Sequence, residues 1–131
     1  MKRHYNIIIA GAGGIAEAVG LILAEWSKVP PTIFIGNRTF SKAQKVAQWI
    51  KDGVNKPASV NAFHLVEKGM TPEMKDIFNQ GDILLDCLPG TQAPKMAKFA
   101  HDFKLHYANL TEYIKETNEI IELAKNGKIT V

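Results

Sequence analysis

The segment that most restricts this chain begins six residues in. Asn6-Ile7-Ile8-Ile9-Ala10 runs directly into Gly11-Ala12-Gly13-Gly14-Ile15-Ala16. A short β-branched run without polar alternation reads as a strand buried on both faces, the mark of a parallel sheet. The glycine segment fits G-x-G-x-x-G/A, with Ala16 in the third small position. Each small residue has a physical task. Gly11 makes the sharp turn off the strand, Gly13 lets the backbone approach a pyrophosphate, and Ala16 lets the next helix pack close to the strand. The amino end of that helix presents free N–H groups and a positive dipole to an anion. Two other readings share these glycines. One is a ligand-free turn. The other is an adenosyl-methionine methyltransferase sheet, which wants an acidic residue ending the second strand, and none is there.

The rest of the chain repeats one pattern. A helix over 15–26 stops at Pro30-Pro31, and Thr32-Ile33-Phe34-Ile35-Gly36 is a second strand. Ser41 caps a helix over 41–51 that carries Ala43, Val46, Ala47 and Ile50 on one face and ends at Gly53. Residues 60–66 form a weaker third strand, and Thr71-Pro72 opens a helix over 72–79. A fourth strand over 83–88 halts at Pro89-Gly90. A helix over 94–103, a fifth strand over 106–110 and a last helix over 112–125, capped by Thr111, follow. Lys128-Ile129-Thr130-Val131 reads as the start of a sixth strand. Strand and helix alternate throughout, which predicts an α/β, Rossmann-like doubly wound parallel sheet with helices on both faces. With 131 residues, the whole chain is expected to be one domain.

Composition narrows the function classes. A chain of this length buries roughly two-thirds of its unfolded surface and needs no metal or disulfide to fold. One cysteine excludes an internal disulfide and fits a reducing, cytoplasmic setting. The net charge of +3 is no nucleic-acid footprint without a clustered patch. Residues 5–24 carry only Glu17 as a formal charge and follow a basic start, as a membrane anchor would. Glu17 at mid-bilayer would cost about 2.5–3.5 kcal/mol, and four glycines dilute the segment, so strand, turn and helix explain it better. His4, His64, His101 and His106 have no metal-ligand spacing, so no metal is expected.

Ribose recognition falls about twenty residues beyond such a glycine turn, which lands on Gly36-Asn37-Arg38-Thr39. An NAD site usually carries Asp or Glu there. Arg38 instead suits a 2′-phosphate, which a guanidinium grips with two hydrogen bonds. Thr39 and Ser41 add hydroxyls, so NADP is favoured over NAD. The first and fourth strands are expected to be neighbours at the topological switch point. The nicotinamide end should then approach Leu88 and Pro89. Cys87 reads as a small buried hydrophobe rather than a nucleophile. Asp86 is an awkward residue for a central strand.

These residues together resemble the amino-terminal cofactor domain of saccharopine dehydrogenases and their reductase relatives. The carriers are residues 7–14, Gly36-Asn37-Arg38-Thr39, residues 82–90 and Tyr107-Ala108-Asn109-Leu110-Thr111-Glu112. The resemblance implies an NAD(P)-dependent oxidoreductase that passes hydride between nicotinamide and a carbon–nitrogen bond of an amino-acid-type substrate. It assigns Gly11, Gly13, Gly14 and Ile15 to the pyrophosphate and Asn37, Arg38 and Thr39 to the 2′-phosphate end. Val66 goes to the adenine, and Leu88 and Pro89 to the nicotinamide. No catalytic residue is assigned. Asn109 and Leu65-Val66-Glu67 depart from the acidic residues the pattern would carry at those two strand ends. Members of this family close a second domain over substrate, so this chain is expected to be the cofactor domain without it. A homo-oligomer stays open, and a regulatory nucleotide sensor without catalysis is the runner-up.

Overall fold

The computed structural model describes residues 4–110 and 114–127. Five strands form one sheet: β1 (Asn6–Ala10), β2 (Thr32–Asn37), β3 (Val60–His64), β4 (Ile83–Asp86) and β5 (His106–Asn109). All pair in parallel, in the order β3-β2-β1-β4-β5, with β1 and β4 adjacent at the switch point. Five α-helices connect and follow them: α1 (Gly14–Trp26), α2 (Phe40–Gly53), α3 (Pro72–Gln80), α4 (Ala93–Phe103) and α5 (Ile114–Gly127). A single 3₁₀ turn, Gly90–Gln92, leads into α4.

The isoleucine run of β1 is buried on both sides, as its lack of alternation requires. Ile7 and Ile9 join the core under α1 and α2, with Ile33, Ile35, Val46 and Ile50. Ile8 points to the other core with Phe63, Phe78, Leu84, Met96 and Leu105, under α3, α4 and α5. Each such fully buried aliphatic side chain stabilises the fold by about 1.5–3 kcal/mol. Gly20 lets α1 and α2 meet, since a Cβ there would lie 2.4 Å from Ile50. Asp82 closes the lower end of the sheet: its carboxylate accepts the Asn6 N–H at 2.7 Å, and its own N–H donates to the Asn6 carbonyl at 2.8 Å.

The expected elements are present with shifted ends. β3 and β4 are shorter than read from sequence, stopping at His64 and Asp86. The hydrophobic residues beyond them, Leu65, Val66, Cys87 and Leu88, belong to the loops above the sheet. The helix assigned to a Ser41 cap starts at Phe40, so the cap position falls on Thr39, two residues earlier. Thr71 caps α3 as expected, its hydroxyl accepting the Met74 N–H at 3.1 Å, with Pro72 in the first turn. The Thr111 cap and the sixth strand lie outside the described residues. The segment weighed as a membrane anchor is β1, the glycine turn and α1. No helix among the described residues is long and apolar enough to cross a membrane.

Candidate functional site

Three loops leave the carboxyl ends of the strands at one level. The Gly11 N–H donates to the Gly36 carbonyl at 2.8 Å, Cys87 N–H to Ala10 at 2.8 Å, and Leu65 N–H to Asn37 at 3.0 Å. These bonds extend the sheet by one residue and fix where each chain turns away. Above them lies an open cleft of about 410 Å³. Gly11, Gly13, Asn37, Arg38, Thr39, Val66, Leu88 and Pro89 all line it. Gly14 and Ile15 do not line the concavity. Both are exposed at the start of α1, Gly14 without a side chain and Ile15 with an apolar one, so only their backbone N–H groups are placed to serve an anion. Ser41 is exposed on α2 and is not part of the lining.

The glycine turn has the geometry its sequence calls for. Gly11 has φ of +116°, and a Cβ there would lie 3.0 Å from the Cys87 carbonyl oxygen. This position needs glycine for the protein's own sake. Gly13 is different: a Cβ would meet nothing within 4 Å. The fold itself makes no demand on that position, and the open space belongs to the cleft.

At the β2 end the Asn37 amide donates to the Thr39 carbonyl at 3.2 Å and shapes the turn into α2. Thr39 does not spend its hydroxyl on the helix, and the first turn of α2 holds no acidic residue. Arg38 and Lys42 both line the cleft there, and neither has an ion-pair partner among the described residues. Two cations and uncapped helix N–H groups converge on one corner, a setting that suits an anion. Sequence reasoning missed Lys42. The signal was its position four residues after Arg38, obscured because the helix was begun at Ser41. It also missed Gln92 and Lys95, which line the opposite wall. Lys95 reaches across to donate to the Glu67 carbonyl and lies over the Phe99 ring.

Asp86, the awkward strand residue, is only 3% exposed and fully engaged. One carboxylate oxygen accepts the Leu88 N–H at 3.0 Å, and the other accepts the Tyr107 hydroxyl at 2.6 Å. Asn109 in turn donates to the Tyr107 oxygen at 3.1 Å. The network joins β4 to β5 and pins the Leu88–Pro89 turn at the cleft wall. Burial pushes the Asp86 carboxyl up from its ordinary range, and its two hydrogen bonds only partly offset this. Tyr107 is pushed up by its burial and by the Asp86 carboxylate. The Cys87 thiol is raised to about 11, first by burial and then by Asp86, so it stays protonated and is a poor nucleophile. No cluster of metal-ligating side chains exists among the described residues.

Tyr107→Phe removes one of the two partners of a buried carboxylate. It should cost about 1–3 kcal/mol of stability at neutral pH, read from urea unfolding. The native carboxyl binds its proton more readily than the unfolded one, so stability falls as pH rises from 3.8 through the raised value. Losing the Tyr107 bond raises that value further. The cost of the variant should therefore shrink as the pH is lowered into the acid range. A cost independent of pH would show that Asp86 is not the group affected.

A doubly wound parallel sheet, a glycine turn at the switch point and an anion-seeking corner at the end of β2 define a dinucleotide-binding domain of the Rossmann type. The chain belongs to the saccharopine dehydrogenase NADP binding domain family, whose sequence profile matches residues 7–130. No curated protein matches it by sequence. Among solved structures, shikimate dehydrogenase from Mycobacterium tuberculosis is similar with a TM-score of 0.71 at 16% identity, over 98% of this chain and 45% of that one. The UDP-N-acetylglucosamine 3-dehydrogenase of Acidithiobacillus ferrooxidans gives 0.70 at 14% identity, over 98% and 37%. The L-Glu-forming saccharopine dehydrogenase of Saccharomyces cerevisiae gives 0.66 at 19%, over 88% and 24%. At these identities the likeness shows a shared fold. The chain spans less than half the length of each of them.

Proposed function

We propose that the cleft above Gly11, Arg38 and Leu88 holds NADP(H), and that the chain is the cofactor-binding part of a reductase or dehydrogenase acting on a carbon–nitrogen bond of an amino-acid-type substrate. The observation that carries the NADP assignment is the corner formed by Arg38, Lys42 and the start of α2, where cations stand and no acidic side chain ends β2. Arg38 would grip a 2′-phosphate in a bidentate manner, with Lys42 adding a point charge. The backbone N–H groups opening α1 would take the pyrophosphate, with Gly13 leaving room for it. The cofactor supplies hydride chemistry; Leu88 and Pro89 would form the apolar wall that orients it and excludes water on one side.

Hydride transfer needs the reacting carbons held about 3–3.5 Å apart in a closed site. The described residues form one wall of such a site. The 131-residue chain should therefore bind NADPH without consuming it. The experiment follows NADPH absorbance with saccharopine and with amino-acid-derived imines, using this chain and any longer natural chain that carries the same domain. The longer chain should turn over carbon–nitrogen substrates. Turnover only of alcohols or ketones would overturn the substrate class. Turnover by the short chain would overturn the division of labour.

A further inference from the structure

We infer that the Asp86 carboxylate sets which oxidation state of the cofactor the cleft prefers: its negative charge favours the oxidised form, whose nicotinamide ring is cationic, over the reduced form, whose ring is neutral. This rests on the reading of the cleft as an NADP(H) site with the nicotinamide at Leu88 and Pro89. A carboxylate buried to 3% exposure is normally paired with a cation. Asp86 has no such partner among the described residues. It accepts from the Leu88 N–H at 3.0 Å and the Tyr107 hydroxyl at 2.6 Å, and both donors are uncharged. The groups around the Tyr107 oxygen, the Asn109 amide at 3.1 Å and the Ala93 carbonyl at 3.3 Å, are neutral as well. The charge is hydrogen-bonded but not compensated.

Its place in the sheet puts that charge at one end of the cleft. Asp86 is the last residue of β4, in register with Ala10, which leads into the glycine turn, and with Asn109. It holds the N–H of Leu88, a residue of the cleft wall. The charged side chains that line the cleft are Arg38, Lys42, Glu67 and Lys95, from the end of β2, the start of α2, the loop after β3 and α4. Leu88 and Pro89 bring no charge of their own, so Asp86 beneath them gives this end its sign. Its field reaches the lining: the Cys87 thiol faces the cleft and is held protonated first by burial and then by Asp86. Such a field is weakly screened where water is scarce. The two oxidation states share adenine, riboses and phosphates, so the glycine turn, Arg38 and Lys42 act on both. They differ by one positive charge on the nicotinamide, and only an anion near that ring separates them on this ground. A cationic ring at the Leu88–Pro89 wall supplies the counter-charge that the fold withholds from Asp86.

The test is titration calorimetry of the 131-residue chain with NADP⁺, NADPH and 2′,5′-ADP at mildly alkaline pH, where the carboxyl is ionised. The unaltered chain should bind NADP⁺ more tightly than NADPH, by about threefold or more. Asp86→Asn removes the charge and keeps the shape. Its amide oxygen can accept the Leu88 N–H, its NH₂ can donate to the Tyr107 oxygen, and the Tyr107 hydroxyl can turn to the Ala93 carbonyl. This variant should lose the preference through weaker NADP⁺ binding, while 2′,5′-ADP, which has no nicotinamide, binds as before. Tyr107→Phe keeps the carboxylate and should keep the preference; it is read with the unaltered chain if Asp86→Asn fails to fold. NADPH bound as tightly as NADP⁺ by the unaltered chain would overturn the proposal and leave the cofactor assignment standing. An undiminished preference in folded Asp86→Asn would overturn it too. So would a preference lost in folded Tyr107→Phe, which would tie the effect to the shape of the turn instead of the charge. A chain that binds none of the three ligands would overturn the cofactor assignment itself, and this proposal with it.

Discussion

Gly13→Val should weaken NADPH binding strongly while leaving the fold intact. The protein leaves open space where the new Cβ would go, so the variant should unfold within a few tenths of a kcal/mol of the native chain apart from helix-cap effects. The same branched side chain occupies the volume that a pyrophosphate needs, and it blocks the approach to the N–H groups opening α1. Losing one or two charge-assisted hydrogen bonds at roughly 1.5–3 kcal/mol each weakens binding by about 10- to 10,000-fold. Gly11→Val provides the contrast. It forces a side chain into a positive-φ conformation 3.0 Å from the Cys87 carbonyl, and should lower the unfolding midpoint markedly. Calorimetric titration with NADPH and urea unfolding of both variants separate the two roles. Full NADPH affinity in a folded Gly13→Val chain would remove the glycine turn from the site.

Arg38→Ala raises the Kd for NADPH by about 10- to 100-fold and leaves NADH nearly unchanged, since it deletes a charge-assisted contact worth roughly 1.5–3 kcal/mol. Arg38 is exposed and makes no ion pair among the described residues, so its loss should not disturb the fold. Lys42→Ala should act in the same direction by less, because a lone ammonium gives a point charge without bidentate geometry. Both effects should fade as salt is added, as expected for exposed charges. Equal weakening of NADPH and NADH by Arg38→Ala would place the arginine at the pyrophosphate or in the turn instead.

The sequence was most legible where local chemistry and tertiary demand coincide. The β1 isoleucines could only be a strand buried on both faces, and the alternation of elements left little choice but a parallel sheet. Thr71-Pro72 marked the start of α3 because cap and helix-compatible proline act locally. Strand ends were harder to place. Leu65, Val66 and Leu88 are hydrophobic, so pattern alone prolongs β3 and β4, whereas the chain turns away there to wall the cleft. Asp86 was opaque for a different reason. Its explanation is Tyr107, on a neighbouring strand, and no local spacing links the two. The same holds for Gln92 and Lys95, whose place in the cleft depends on how the Pro89 turn sends α4 over the sheet.

We expect the corner at the end of β2 to select a 2′-phosphate. The most direct test is titration calorimetry of the unaltered chain with NADPH and with NADH at one low ionic strength. NADPH should bind more tightly than NADH by at least tenfold. Equal affinities, or tighter NADH, would contradict it.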